Sequence, residues 1–250
     1  MTFEEFNKML GQQRSDKQKQ LNEIHWWVSL SVSSLDKSQK DKTFTNEVTI
    51  TVPSGRSTKD ISRTKEQVIE ILDKAKSTDI YQSVFVYMVA KVEDFFSNII
   101  YLILSMDNRR IKGSVPGIDT LKKFDVDEIL DSKDKNEIVE KIIICNLINI
   151  FYASPQKQKD YFDKVLGIKL DDSLWDSWFE IKASRDIIVH NSGIINEIYI
   201  AKSGTMARGV IGDKIPINKN YFDSSLAKMK TIIGKCEVSA RNSLRPKKEK

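Results

Sequence analysis

Arg185, Asp186 and His190 lie close together in the stretch Ser184-Arg185-Asp186-Ile187-Ile188-Val189-His190-Asn191-Ser192-Gly193. A guanidinium among Trp178, Ile181, Ile188 and Val189 needs a partner anion to offset its desolvation. An imidazole exchanges protons near neutral pH, and His190 is one of only two histidines in the chain. The stretch therefore offers an anion clamp beside a proton carrier. Asp186 and His190 are four apart and share a helix face, so the carboxylate can orient the imidazole. Arg185 and His190 are five apart, which separates them by roughly 140° on an ideal helix. Within one chain they are not expected to point the same way. Two copies meeting at these helix ends across a two-fold axis would resolve the splay.

A second anomaly lies upstream. Along Ile80 to Met106 the residues Phe85, Met88, Val92, Phe95, Phe96, Ile99 and Ile103 form one apolar stripe, with Lys91 and Asp94 on the polar side. Glu93 does not fit that pattern, because it falls beside Val86, Val89, Ile100 and Leu104, a second apolar strip. Either it is buried with a cation, for which Arg185 is the candidate, or it lies at an interface, or it reaches the edge of the core and touches nothing of consequence. The double strip is wider than one core needs, which points to a homodimer.

These residues must be positioned by helices. Thr2 with Glu5 has the capping-box pattern, so a first helix is expected from Phe3 toward Ile24. Val48 to Val52 is a β-branched run closed by Pro53-Ser54-Gly55 and reads as a strand or hairpin. A second helix begins near Arg63 and includes Val68, Ile69, Ile71 and Leu72. Ser77-Thr78-Asp79 reads as a cap for the long helix that follows. Further helices are expected at about Asp134 to Tyr152, Ser154 to Leu166, Asp172 to His190 and Asp223 to Asn242, with Gly193 as a C-cap glycine. Glu197 to Ile200 and Gly209 to Asn218 read as a second small hairpin. The fold class is mainly α. Residues 1–79 read as an N-terminal extension of one helix plus a possible β-hairpin, 80–242 as a helical domain, and 243–250 as a basic tail.

Composition narrows the functional classes. The chain has 250 residues, 40% hydrophobic and 30% charged, as expected of a water-soluble globular protein. Its strongest apolar runs, Ile99 to Leu104 and Ile142 to Ile144, fall far short of the roughly 20 residues of a membrane span. The acidic Met1 to Phe6 segment has no leader pattern, so a secretory signal is not expected. Cys145 and Cys236 sit in helical patterns and read as buried, reduced thiols of a cytoplasmic protein. The net charge of +5 is concentrated at the end, where Arg241, Arg245, Lys247, Lys248 and Lys250 face only Glu249. That basic run is a solvated end or a phosphate attractor. No zinc-type ligand spacing, Gly-rich phosphate loop or nucleophile elbow is present, so neither a metal nor a cofactor is expected. His25, beside Trp26 and Trp27, reads as a structural residue.

Arg185, Asp186 and His190 together resemble the Arg-polar-x3-His signature of the HEPN superfamily, many of whose members cut RNA without a metal. Asn191, Gly193, Asn196 and Tyr199 are similar to one bacterial branch of that superfamily, and the helix carrying Glu93 resembles part of its helical core. The likeness covers about residues 80 to 235, whereas residues 1–79 carry none. Ser192 stands where the nucleotidyltransferase-linked toxins have the tyrosine of a His-x-Tyr extension, and that extension is absent here. The resemblance implies a HEPN-like helical bundle and an endoribonuclease that works by attack of the ribose 2′-hydroxyl. In that scheme His190 handles a proton, Arg185 neutralises the phosphate, Asp186 orients His190, Glu93 positions Arg185, and Asn191 contacts RNA. It further implies a homodimer, and a toxin–antitoxin or antiphage-defence setting with an antitoxin or defence-system partner. Two other readings stay open. The same groups can serve a catalytically silent module that binds a nucleotide or a partner protein, or Arg185 and Glu93 can form a purely structural pair.

Overall fold

The computed structural model describes residues 1–46, 48–120 and 125–246. The fold is mainly α with one two-stranded antiparallel sheet. The first helix, α1 (Phe3–Lys40), starts on a capping box in which Thr2 accepts from the Glu5 N–H and Glu5 accepts from the Thr2 N–H. Its buried side chains Phe6, Leu10, Leu21, Ile24 and Val28 fall on one helical stripe. The helix continues well past Ile24. Its far end is held by Asp36 and Gln39, which both accept from Lys76, and by Gln39 donating to Asp73.

The expected hairpin is present as β1 (Val48–Ser54) and β2 (Ser57–Arg63), joined tightly at Gly55, whose φ is 63°. Ile50 pairs with Ile61, and Thr49 and Thr51 bond Ser62 and Asp60 across the strands. The hairpin is largely exposed. Next comes α2 (Lys65–Lys74), opened by a capping box between Thr64 and Gln67. No cap forms at Ser77-Thr78-Asp79. Residues 75–79 make a π-helical turn, and Asp79 keeps helical dihedrals without a side-chain cap, so the chain runs helically into α3 (Ile80–Met106).

Helix α3 is the axis of the molecule. It packs against α1, the later α5 (Lys135–Tyr152), α7 (Asp172–His190) and α9 (Lys219–Ser243). Both of its apolar strips are largely consumed by these contacts: Val86 of the second strip is half-buried, and Phe85, Val89, Val92, Phe95, Ile100 and Leu104 are all fully buried within one chain. Each such side chain stabilises the fold by roughly 1.5–3 kcal/mol. The width of the apolar surface is thus accounted for without a second copy. Phe6, Leu10 and Leu21 of α1 join the same buried cluster as α3, so part of residues 1–79 builds the shared core. Around Phe96 the rings of Phe162 and Trp178 meet it edge to face, each with its centroid 5.1 Å away, and Trp175 stands edge to face with Phe162.

Short helices α4 (Val126–Leu130), α6 (Pro155–Tyr161) and α8 (Glu197–Ser203) complete the order. The second hairpin expected at 197–200 and 209–218 is not formed. Glu197 to Ser203 is helical because the Asn196 side chain accepts from the Tyr199 N–H, and Ile195, Tyr199 and Ser203, four apart, turn to the core. An isolated bridge between Ile194 and Lys214 is the one trace of strand pairing there among the described residues. Cys236 is buried as expected, but Cys145 is exposed, on the outer side of α5. Among the described residues no helix is long and apolar enough to cross a membrane. Of the basic end, Lys247, Lys248, Glu249 and Lys250 lie outside the described residues.

Candidate functional site

A cleft of about 1250 Å³ runs along α7 between the α5–α6 turn and α8. Glu93, Arg185, Asp186, His190 and Asn191 all line it. Because the cleft follows α7 to its C-terminus, Arg185 and His190 share it despite their angular separation. One chain therefore brings every candidate residue to one opening.

The charged groups form a continuous row. Lys182 Nζ lies 3.1 Å from Glu93 Oε1, and Arg185 Nη2 lies 3.4 Å from Glu93 Oε2. Arg185 Nη1 then reaches Asp186 Oδ1 at 3.1 Å, and Lys202 Nζ reaches Asp186 Oδ2 at 2.9 Å. Three cations alternate with two carboxylates, so the row carries one net positive charge with a lysine at each end. Arg185 sits in the middle, held by both anions, while its Nε is buried with no hydrogen-bond partner among the described residues. Glu93 therefore does pair with Arg185, the first of the three arrangements its position allowed. The row is only partly buried, and such pairs are worth less than fully buried ones.

Asp186 differs from expectation. Both of its carboxylate oxygens are engaged by Arg185 and Lys202, and no hydrogen bond to His190 forms among the described residues. His190 is exposed at the end of α7. Asn191 caps that end and donates from Nδ2 to the Ile194 carbonyl at 2.7 Å, which ties its side chain to the turn. The chain leaves the helix through two left-handed residues, Ser192 at φ 54° and Gly193 at φ 76°, and the Gly193 N–H reaches back to the Ile187 carbonyl at 2.9 Å. A left-handed conformation suits Gly193, but at Ser192 it is strained, and Ser192 is the only such non-glycine residue among those described. Asp94, expected on the polar side, lines the cleft rim and pairs with the buried Lys17 of α1. His25 lies away from the cleft, 3.2 Å from Asp223.

Sequence reasoning missed the groups behind the row. Glu180, only 3% exposed, accepts from Ser184 Oγ at 2.6 Å, Arg208 Nε at 2.8 Å, Tyr199 OH at 3.1 Å and Tyr221 OH at 2.7 Å. The guanidinium of Arg208 also lies over the Tyr221 ring, 3.3 Å from its centroid. Burial, then the neighbouring Glu180 charge, pushes the Tyr199 and Tyr221 phenols above their ordinary range. This network fastens α8, the 204–217 segment and α9 to the helix turn that precedes Arg185. Glu180 carried no signal like that of Glu93, because the residues three and four away on its helix face are Asp176, Ser177, Ala183 and Ser184 rather than an apolar strip. Lys182, Lys202 and Arg208 carried none, because a basic residue on a helix or loop reads as solvated.

Among the described residues no group of three or more His, Cys, Asp or Glu side chains is placed to hold a metal ion. Comparison of the chain with protein-family models, with curated proteins and with solved structures finds no match. The functional reading therefore rests on the geometry of this cleft.

Proposed function

We propose that the cleft is the active site of a metal-independent endoribonuclease of HEPN type. The observation that carries this reading is the meeting, in one cleft, of the cationic row centred on Arg185 with the exposed imidazole of His190. A ribose 2′-oxygen attacks the adjacent phosphorus, the O2′–P bond forms and the P–O5′ bond breaks, leaving a 2′,3′-cyclic phosphate and a free 5′-hydroxyl. His190 takes the proton of the attacking hydroxyl or returns one to the leaving oxygen. Lys182, Arg185 and Lys202, which all line the cleft, neutralise the phosphate as charge builds on it. Glu93 and Asp186 hold Arg185 in place. The strained Ser192 supports the same reading, since backbone strain collects at working sites.

One His190 serves one of the two proton transfers. A second copy, paired at the ends of the α7 helices where Val189 is exposed beside His190, supplies the other, which makes the active form a homodimer. A cytoplasmic setting in toxin–antitoxin or antiphage defence, with an antitoxin or defence-system partner, follows from the resemblance alone. A second reading is favoured by Asp186, whose carboxylate serves Arg185 and Lys202 rather than His190. In that reading the same cleft binds a nucleotide or a partner protein without cutting. The test is RNA cleavage by wild type against His190→Ala. Loss of at least about 100-fold, the usual scale for a lost general acid or base, is expected with the melting temperature unchanged. Full cleavage by the variant would overturn the assignment, and no cleavage by wild type with retained nucleotide binding would favour the silent module.

A further inference from the structure

The turn between α5 and α6 is built to present one ring. Gln158 is buried, and its Nε2 donates both to the Phe151 carbonyl at 3.0 Å and to the Ala153 carbonyl at 2.8 Å. These are carbonyls that a helix end leaves without partners. Lys182, the first cation of the charged row, also reaches the Phe151 carbonyl at 3.4 Å and lies over the Phe151 ring. With its flanking carbonyls tied inward, the turn is fixed, yet the side chain between them is 89% exposed: Tyr152 lines the cleft and has no hydrogen bond, ion pair or ring contact among the described residues. On α8, Ile198 lines the same cleft and is also exposed. The cleft thus combines a cation row with a free aromatic face one residue from the point where that row grips the turn.

We infer that Tyr152 is a stacking shelf for an unpaired nucleobase, so that the substrate class is single-stranded RNA. This rests on the reading that the charged row takes the RNA backbone. A phosphate on the lysines and Arg185 leaves the flat apolar base of the same or a neighbouring nucleotide needing cover, and an exposed phenol ring supplies it. Stacking accepts any base, so little sequence preference comes from this contact. Bases in a duplex are already stacked and cannot reach the ring. Tyr152 acts here as a specificity and positioning residue, with no part in proton transfer.

The test uses fluorescence anisotropy with a labelled single-stranded oligonucleotide carrying 2′-O-methyl groups, which cannot be cleaved, beside steady-state cleavage of the unmodified strand. Tyr152→Ala is expected to weaken binding by about 10-fold or more and to raise KM with little change in kcat, while Tyr152→Phe keeps wild-type values. An oligonucleotide series with single abasic positions should contain one for which Tyr152→Ala makes no further difference. Duplex RNA should bind wild type and Tyr152→Ala alike. If Tyr152→Ala binds and cleaves like wild type, the shelf is refuted and the cleavage reading stands. If the loss persists equally at every abasic position, Tyr152 does not stack on a base and the inference fails. If wild type neither binds nor cleaves the single strand, the RNA reading fails and the shelf with it.

Discussion

Arg185 lies between Glu93 and Asp186, and this double hold decides what its loss does. Arg185→Ala leaves Glu93 with Lys182 and Asp186 with Lys202, so neither carboxylate is stranded alone. The destabilisation should be about 1–3 kcal/mol, below the cost of breaking an isolated buried pair. Cleavage, by contrast, should fall to background, because the row changes from one net positive charge to neutral and loses its central donors. Thermal melting beside an RNA assay separates the two effects. Unfolding with no catalytic loss in the surviving protein would make the pair purely structural. Glu93 is legible in the sequence because it interrupts an apolar strip, and so is the Arg185–Asp186–His190 spacing. The lysines at the ends of the row are not, since nothing in one dimension separates a solvated lysine from one that reaches a carboxylate on another helix. The role of Asp186 is hidden for the same reason. Helical spacing offers it His190, but Lys202 arrives from α8, an element that the sequence does not reveal.

At the scale of elements, the Glu180 network fixes the rotation of α7 and therefore the direction in which Arg185 points. Glu180→Ala would take the paired carboxylate from Arg208 and the acceptor from the Tyr199 and Tyr221 hydroxyls at once, and should destabilise the fold by about 3–5 kcal/mol. Glu180→Gln keeps an acceptor but loses the charge, and should fall between that variant and wild type. Chemical denaturation of the three proteins checks the order, and equal stabilities would show that the network supports nothing. Two helix starts are legible from their capping side chains: Thr2 with Glu5, and Asp134 before α5, stand where propensity places them. Helix α8 is not, although Asn196 caps it. Ile198, Tyr199 and Ile200 favour a strand, and tertiary burial of Ile195, Tyr199 and Ser203 on one helical face overrides that preference. The far end of α1 escapes because its serine-rich turns have weak helix propensity and are held from outside by Lys76 and Asp73. The π-helical turn at 75–79 has no one-dimensional signature at all.

For the whole molecule, the breadth of α3 looks like surplus surface in the sequence, and the fold uses it to pack four helices around one axis. The homodimer therefore rests on proton counting at His190 and on the exposed Val189 beside it. Light scattering at micromolar concentration should give twice the chain mass of 28.7 kDa. A dimer should also make specific activity fall on dilution below its dissociation constant. A monomer with undiminished specific activity would mean that water handles the second proton.

The most direct measurement is the chemistry of the cut ends when purified protein meets single-stranded RNA in excess EDTA. The groups in the cleft that carry the proposed reaction are all side chains, so cleavage should persist undiminished. Every new 3′ end should carry a 2′,3′-cyclic phosphate and every new 5′ end a hydroxyl. Cleavage abolished by the chelator, or products with 5′-phosphates, would contradict attack by the 2′-hydroxyl under the control of His190 and Arg185.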